Sequence, residues 1–116
     1  MLMAETGHMR WFRQLSLWTV VGAWVVIVLG GLVRATGSTL GCSTWPLCNG
    51  GLALTVAPGG LFDLWHRLAA TILALALLLL LRATLTNRQH LHPLSPRLVT
   101  IAIVTIALQA LIGVFL

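Results

Sequence analysis

Few side chains in this sequence can do chemistry, and most of them lie close together. The segment Asp63-Leu64-Trp65-His66-Arg67 puts a carboxylate three positions before an imidazole and four before a guanidinium. On a helix these share one face. An imidazole at the edge of an apolar stretch can ligate a metal centre, heme iron included, or it can satisfy itself on a neighbouring helix. A carboxylate beside it can accept a proton or orient a water. Asp is also a good helix N-cap, and negative charge suits a helix N-terminus, so both readings of Asp63 stand. An Asp63–Arg67 pair at i,i+4 is within reach.

Upstream, Cys42 and Cys48 have five residues between them in a glycine-rich segment with Trp45 and Pro46. Without further pairs they do not make a zinc module, and they lack the Cys-x-x-Cys spacing of a thiol oxidoreductase. On the oxidising side of a membrane a disulfide is the simpler reading. The stretch Gly37–Gly41 resembles a phosphate loop only superficially, because an apolar helix and not a strand precedes it. His8, His90 and His92 lie outside the apolar runs and are poor ligand candidates.

The elements that must position these groups are membrane helices. The chain has 116 residues, 59% hydrophobic and 8% charged. A soluble domain carries about 25% charged residues, so too few are present to cover a water-soluble globule. Three uncharged or nearly uncharged runs, 15–33, 61–81 and 98–116, each approach the ~20 residues that cross about 30 Å of hydrocarbon. They do not alternate with period two, which excludes a transmembrane barrel. The fold class expected is all-α, an integral membrane helix bundle with three transmembrane helices. The connecting loops are 34–60 and 82–97, the second broken by Pro93 and Pro96. The first run is too long for a signal-peptide core and lacks a clean cleavage site.

The net charge is +5, and all seven basic residues are Arg. They flank the apolar runs instead of forming a stripe, so nucleic-acid binding is excluded and membrane topology explains them. Arg10, Arg13, Arg82, Arg88 and Arg97 fall on one side. The positive-inside rule then puts the N-terminus and loop 82–97 in the cytoplasm and the Cys-bearing loop outside the cell membrane. Arg34 and Arg67 lie against that trend. They either snorkel to the surface or pair with anionic groups there.

The ordered residues Gly30, Gly31, Arg34, Gly37, Gly41, Cys42, Trp45, Pro46, Leu47, Cys48 and Gly50, followed by Asp63-Leu64-Trp65-His66-Arg67, resemble the heme A synthase family. That family's pattern runs G-G-x-V-R-x-T-G-S-G-L-x-C-x-x-W-P-L-C-x-G and then E-x-x-H-R. The stretch Leu108-Gln109-Ala110-Leu111-Ile112-Gly113 is similar to the family's third helix. The likeness extends from about Val20 to the end. Ser43-Thr44 departs from the usual Pro-Asp, and Asp63 stands in place of Glu. The family has two four-helix halves, and this sequence covers three helices of the first, ending on Gly113-Val114-Phe115-Leu116 while still apolar. An incomplete chain is therefore expected.

The resemblance implies an oxidoreductase in heme A biosynthesis that converts a ring methyl of heme O to a formyl group with oxygen from water. It implies His66 as an axial ligand of heme iron, with heme O as substrate and heme b also admissible. Asp63 would be the base or water-orienting group, and Arg34 and Arg67 would meet heme propionates. Cys42 and Cys48 would form a disulfide that shapes the outer site or carries reducing equivalents. Partners implied are heme O, membrane lipid, heme O synthase or cytochrome oxidase assembly proteins, and a homo-oligomer offering two His66 residues across a two-fold axis. The alternative is a non-catalytic heme-binding or oxidase-assembly subunit, which would need His66 but neither Asp63 nor the cysteines.

Overall fold

A computed structural model describes residues 2–37 and 60–115, all helical apart from one turn region and the residue after the first helix. The elements are α1 (Leu2–Thr36), α2 (Gly60–Thr86) and α3 (Ser95–Phe115), with no strand among the described residues. Within them, Met9–Thr36, Leu61–Thr86 and Ser95–Gly113 are long and apolar enough to cross a bilayer. The protein is a multi-pass membrane protein.

The helices reach beyond the apolar runs. α1 starts thirteen residues before the first run, at Leu2 rather than Leu15. Hydropathy marks the lipid-embedded part only, whereas the preceding Leu, Met, Ala, Arg and Gln are all good helix formers. α1 stops where Gly37 takes a positive φ of 64°, the left-handed C-terminal position that glycine fills without strain. α2 continues past Arg82 to Thr86. There Asn87 accompanies the helix end, its Nδ2 donating to the Ala83 carbonyl at 3.0 Å.

Pro96 does not break a helix, contrary to the expectation for loop 82–97. It sits in the first turn of α3, where its missing N–H costs nothing and its fixed φ suits the helix. The non-helical connection is confined to 87–94. It is tied by His90 N–H to the Asn87 carbonyl and Ser95 N–H to the His92 carbonyl.

The chain divides into two compact units, one of Met1–Thr19 with Ala74–Leu116 and the other of Val20–Leu73. In the first, Leu77, Leu80, Ala83, Thr84 and Val99 are buried. In the second, α1 presents Gly22, Val26, Gly30 and Val33, a stripe at helical spacing, to the first half of α2. Leu64 and Leu73 are buried there. Gly22 faces Leu73: a Cβ on it would lie 3.5 Å from Leu73 Cδ1, an ordinary van der Waals contact. Gly31, next to Gly30, faces away and would meet nothing within 4 Å.

Of the three apolar windows, 28% of α2 is buried, against 11% of α1 and 6% of α3. α2 therefore carries most of the packing. Trp18, Trp24, Ile27 and Ile72 are exposed because lipid, not water, is their solvent. Several hydroxyls in the helices bond to their own backbone. Thr19, Thr71, Thr100 and Thr105 each donate to the carbonyl four residues earlier at 2.7–2.8 Å, which satisfies the hydroxyl without a partner helix.

Candidate functional site

The site is built on the N-terminal turns of α2 and the facing turns of α1. Asp63 lies inside the first turn of α2, not ahead of it. It is 6% exposed. Its Oδ2 accepts a hydrogen bond from Arg67 Nη2 at 2.8 Å, an i,i+4 ion pair. The carboxylate is thus committed to a side chain one turn on, and the expected pair forms. Burial makes this pair structurally significant. The Asp63 side chain is 8% exposed and that of Arg67 23%, so both ions are largely removed from bulk solvent.

His66 is half-buried, and its ring rests on α1. Nδ1 lies 3.1 Å from the main-chain carbonyl oxygen of Val26. A carbonyl only accepts, so the bond requires a proton on Nδ1. In the neutral ring Nε2 then carries a lone pair, the state an imidazole needs to bind a metal. The ring sits against Gly30: a Cβ there would lie 3.1 Å from Cε1, 3.5 Å from Nδ1 and 3.8 Å from Nε2. Gly30 stands in the sequence only as part of the glycine-containing motif, with nothing to single it out as a neighbour of His66. Its spacing of four from Val26 and eight from Gly22 placed all three on one face, and that was the available signal.

Arg34 is exposed in the last turn of α1, and among the described residues no ion pair includes it. The structure brings Asp63, His66 and Arg67 together on α2 but does not join Arg34 to them. Cys42 and Cys48, with the disulfide expected between them, lie outside the described residues. Among the described residues no group of three or more His, Cys, Asp and Glu side chains could hold a bare metal ion. A single imidazole with its second nitrogen anchored on a backbone carbonyl could hold a heme, which brings most of its iron ligands in the porphyrin and so needs no cluster of protein ligands.

Three relatives show what the chain is similar to. It is 32% identical over 113 residues to a heme A synthase of Staphylococcus carnosus, a match over 96% of this chain and 35% of that protein. It is 33% identical over 103 residues to a heme A synthase of Shouchella clausii, over 87% of this chain and 34% of that protein. It is 35% identical over 105 residues to a heme A synthase of Bacillus pumilus, again over 87% of this chain and 33% of the relative. The chain spans about a third of the length of these curated relatives. No family model and no solved structure matches it.

Proposed function

Because this chain belongs to the heme A synthase family, we propose that it takes part in heme A biosynthesis as an oxidoreductase wall of a membrane heme site. The observation that carries the reading is the seating of His66, with Nδ1 on the Val26 carbonyl, one helical turn from the buried Asp63. The substrate is heme O, whose iron His66 Nε2 holds from one side. Bound there, the heme would supply the ring methyl; its conversion to a formyl group would take the oxygen from water and pass four electrons and four protons to an external electron acceptor.

The protein's own contribution is positional and electrostatic. Asp63, fixed by Arg67, orients water or accepts a proton at the edge of the site. Arg67 and Arg34 meet the propionates near the membrane surface. The apolar helix faces take up the macrocycle and its isoprenoid tail and exclude bulk water. A disulfide between Cys42 and Cys48 belongs to the same proposal, shaping the outer site or carrying reducing equivalents. The orientation is N-terminus in the cytoplasm, Cys-bearing loop outside, in the cell membrane. Heme O synthase, oxidase assembly proteins or a second copy of the chain are the partners consistent with this role.

The test is heme O binding and conversion in membranes that contain the chain, read by pyridine hemochrome spectra. His66→Gln should abolish the heme signal. Asp63→Asn should keep it while lowering conversion about 100-fold or more. A heme spectrum indifferent to His66→Gln sinks the ligand assignment. Full conversion by Asp63→Asn sinks the catalytic role of Asp63, whereas heme binding through His66 with no conversion by the wild type leaves a heme carrier.

A further inference from the structure

We propose that Gly30 is the positioning residue that fixes the tautomer of His66, by leaving the Val26 carbonyl open to the imidazole. The geometry supplies each step. Val26 precedes Gly30 by one turn of α1, so its carbonyl already accepts the helical bond from Gly30 N–H. A carbonyl oxygen has a second lone pair. In most helices that lone pair is screened, because the side chain of a helical residue leans over the turn N-terminal to its own Cα. At position 30 no side chain exists, and the His66 ring occupies the vacated space. Nδ1 reaches the Val26 oxygen at 3.1 Å, while a Cβ at Gly30 would stand 3.1 Å from Cε1. That separation is tighter than an ordinary van der Waals contact, so the ring must retreat by a few tenths of an ångström if any side chain is placed there.

The consequence is chemical. The neutral side chain of free histidine in water favours the proton on Nε2, the nitrogen that must be bare to ligate iron. The Val26 carbonyl moves the proton to Nδ1. Gly30 therefore does more than allow helix contact: it selects the protonation pattern of the ligand. The tautomer claim stands on α1 and α2 alone, and only its link to iron rests on the heme reading above.

Gly31 is the matched control. It is exposed on the same helix, and a Cβ there would meet nothing within 4 Å. Gly30→Ala and Gly31→Ala gain the same helix propensity, about 1 kcal/mol, and the nearest atoms a Cβ meets at position 30 all belong to His66, whereas at position 31 it meets nothing within 4 Å. The experiment is ring 15N NMR of histidine-labelled chain in bicelles, with the His66 signals assigned by their loss in His66→Gln. Wild type and Gly31→Ala should show protonated Nδ1 and bare Nε2. Gly30→Ala and Gly30→Ser should move the population toward Nε2–H, since the Cβ is common to both. An Nε2–H tautomer in the wild type overturns the proposal, as does an unchanged Nδ1–H signal in the position-30 variants.

Heme titration of the same proteins adds the functional arm. Gly30→Ala should weaken heme binding about 10-fold or more, the usual effect of disturbing a ligand's supporting hydrogen bond. If heme binding ignores His66→Gln while the tautomer shifts as expected, the heme reading fails and the positioning role of Gly30 survives.

Discussion

The buried ion pair offers the sharpest energetic test. Asp63→Asn keeps the shape of the side chain but removes its charge, leaving the Arg67 guanidinium without its carboxylate. Unit charges about 4 Å apart attract by about 4 kcal/mol at an effective dielectric near 20. The carboxylate is 8% exposed and the guanidinium 23%, so desolvation offsets much of that gain. A net coupling of about 1–2 kcal/mol remains, within the range found for directly contacting groups. The assay is a double-mutant cycle of Asp63→Asn, Arg67→Gln and the combined variant, followed by thermal unfolding in detergent micelles. Each single variant should be less stable than wild type, and the double variant should lose less than the sum of the two single losses, because the Asp63–Arg67 attraction can be lost only once. A coupling within about 0.3 kcal/mol of zero, the margin at which independent sites add, would show that the 2.8 Å contact is solvated in practice and would refute the reasoning.

Gly22→Ala should be neutral to stabilising by up to about 1 kcal/mol, because a Cβ there meets Leu73 Cδ1 at an ordinary 3.5 Å while helix propensity improves; Gly22→Phe should lower the melting temperature. Leu73→Ala, at a 4% exposed position, should cost more than Ile72→Ala, at a 68% exposed one. In lipid the penalty is lost packing, with no transfer from water, so Leu73→Ala should fall at or below about 2 kcal/mol, the low end of soluble-core values, and Ile72→Ala near zero. Equal effects in micelle unfolding would contradict the packing described for α2. For topology, single cysteines introduced at Gln89 should resist a membrane-impermeant thiol reagent in intact cells, whereas Cys42 and Cys48, after mild reduction, should react.

The three spanning helices were legible because lipid leaves the chain few alternatives: an uncharged run near twenty residues must close its own hydrogen bonds. The ends were less legible. Hydropathy reports where lipid is, while helix continuity depends on local propensity, so α1 extends through Arg10 and Arg13 and α3 begins at Ser95 with Pro96 in its first turn. The Asp63–Arg67 pair could be read from i,i+4 spacing alone. The contact of His66 with Val26 could not, since it joins residues 40 positions apart through a backbone atom that no side-chain pattern encodes. Gly30 and Gly31 are indistinguishable as adjacent letters. Only the direction in which α2 approaches tells them apart.

The Asp63–Arg67 bond also bears on how the protein is made. Both charges belong to one helix and can meet as soon as the first turns of α2 form, with no contribution needed from another helix. An isolated carboxylate or guanidinium entering hydrocarbon costs on the order of 3 kcal/mol on insertion scales. Presented as a self-neutralised pair, α2 can leave the translocon sideways without waiting for α1 to shield it. Charge compensation in α2 is then independent of docking on α1, and the imidazole can find the glycine notch of α1 in a separate, intramembrane step.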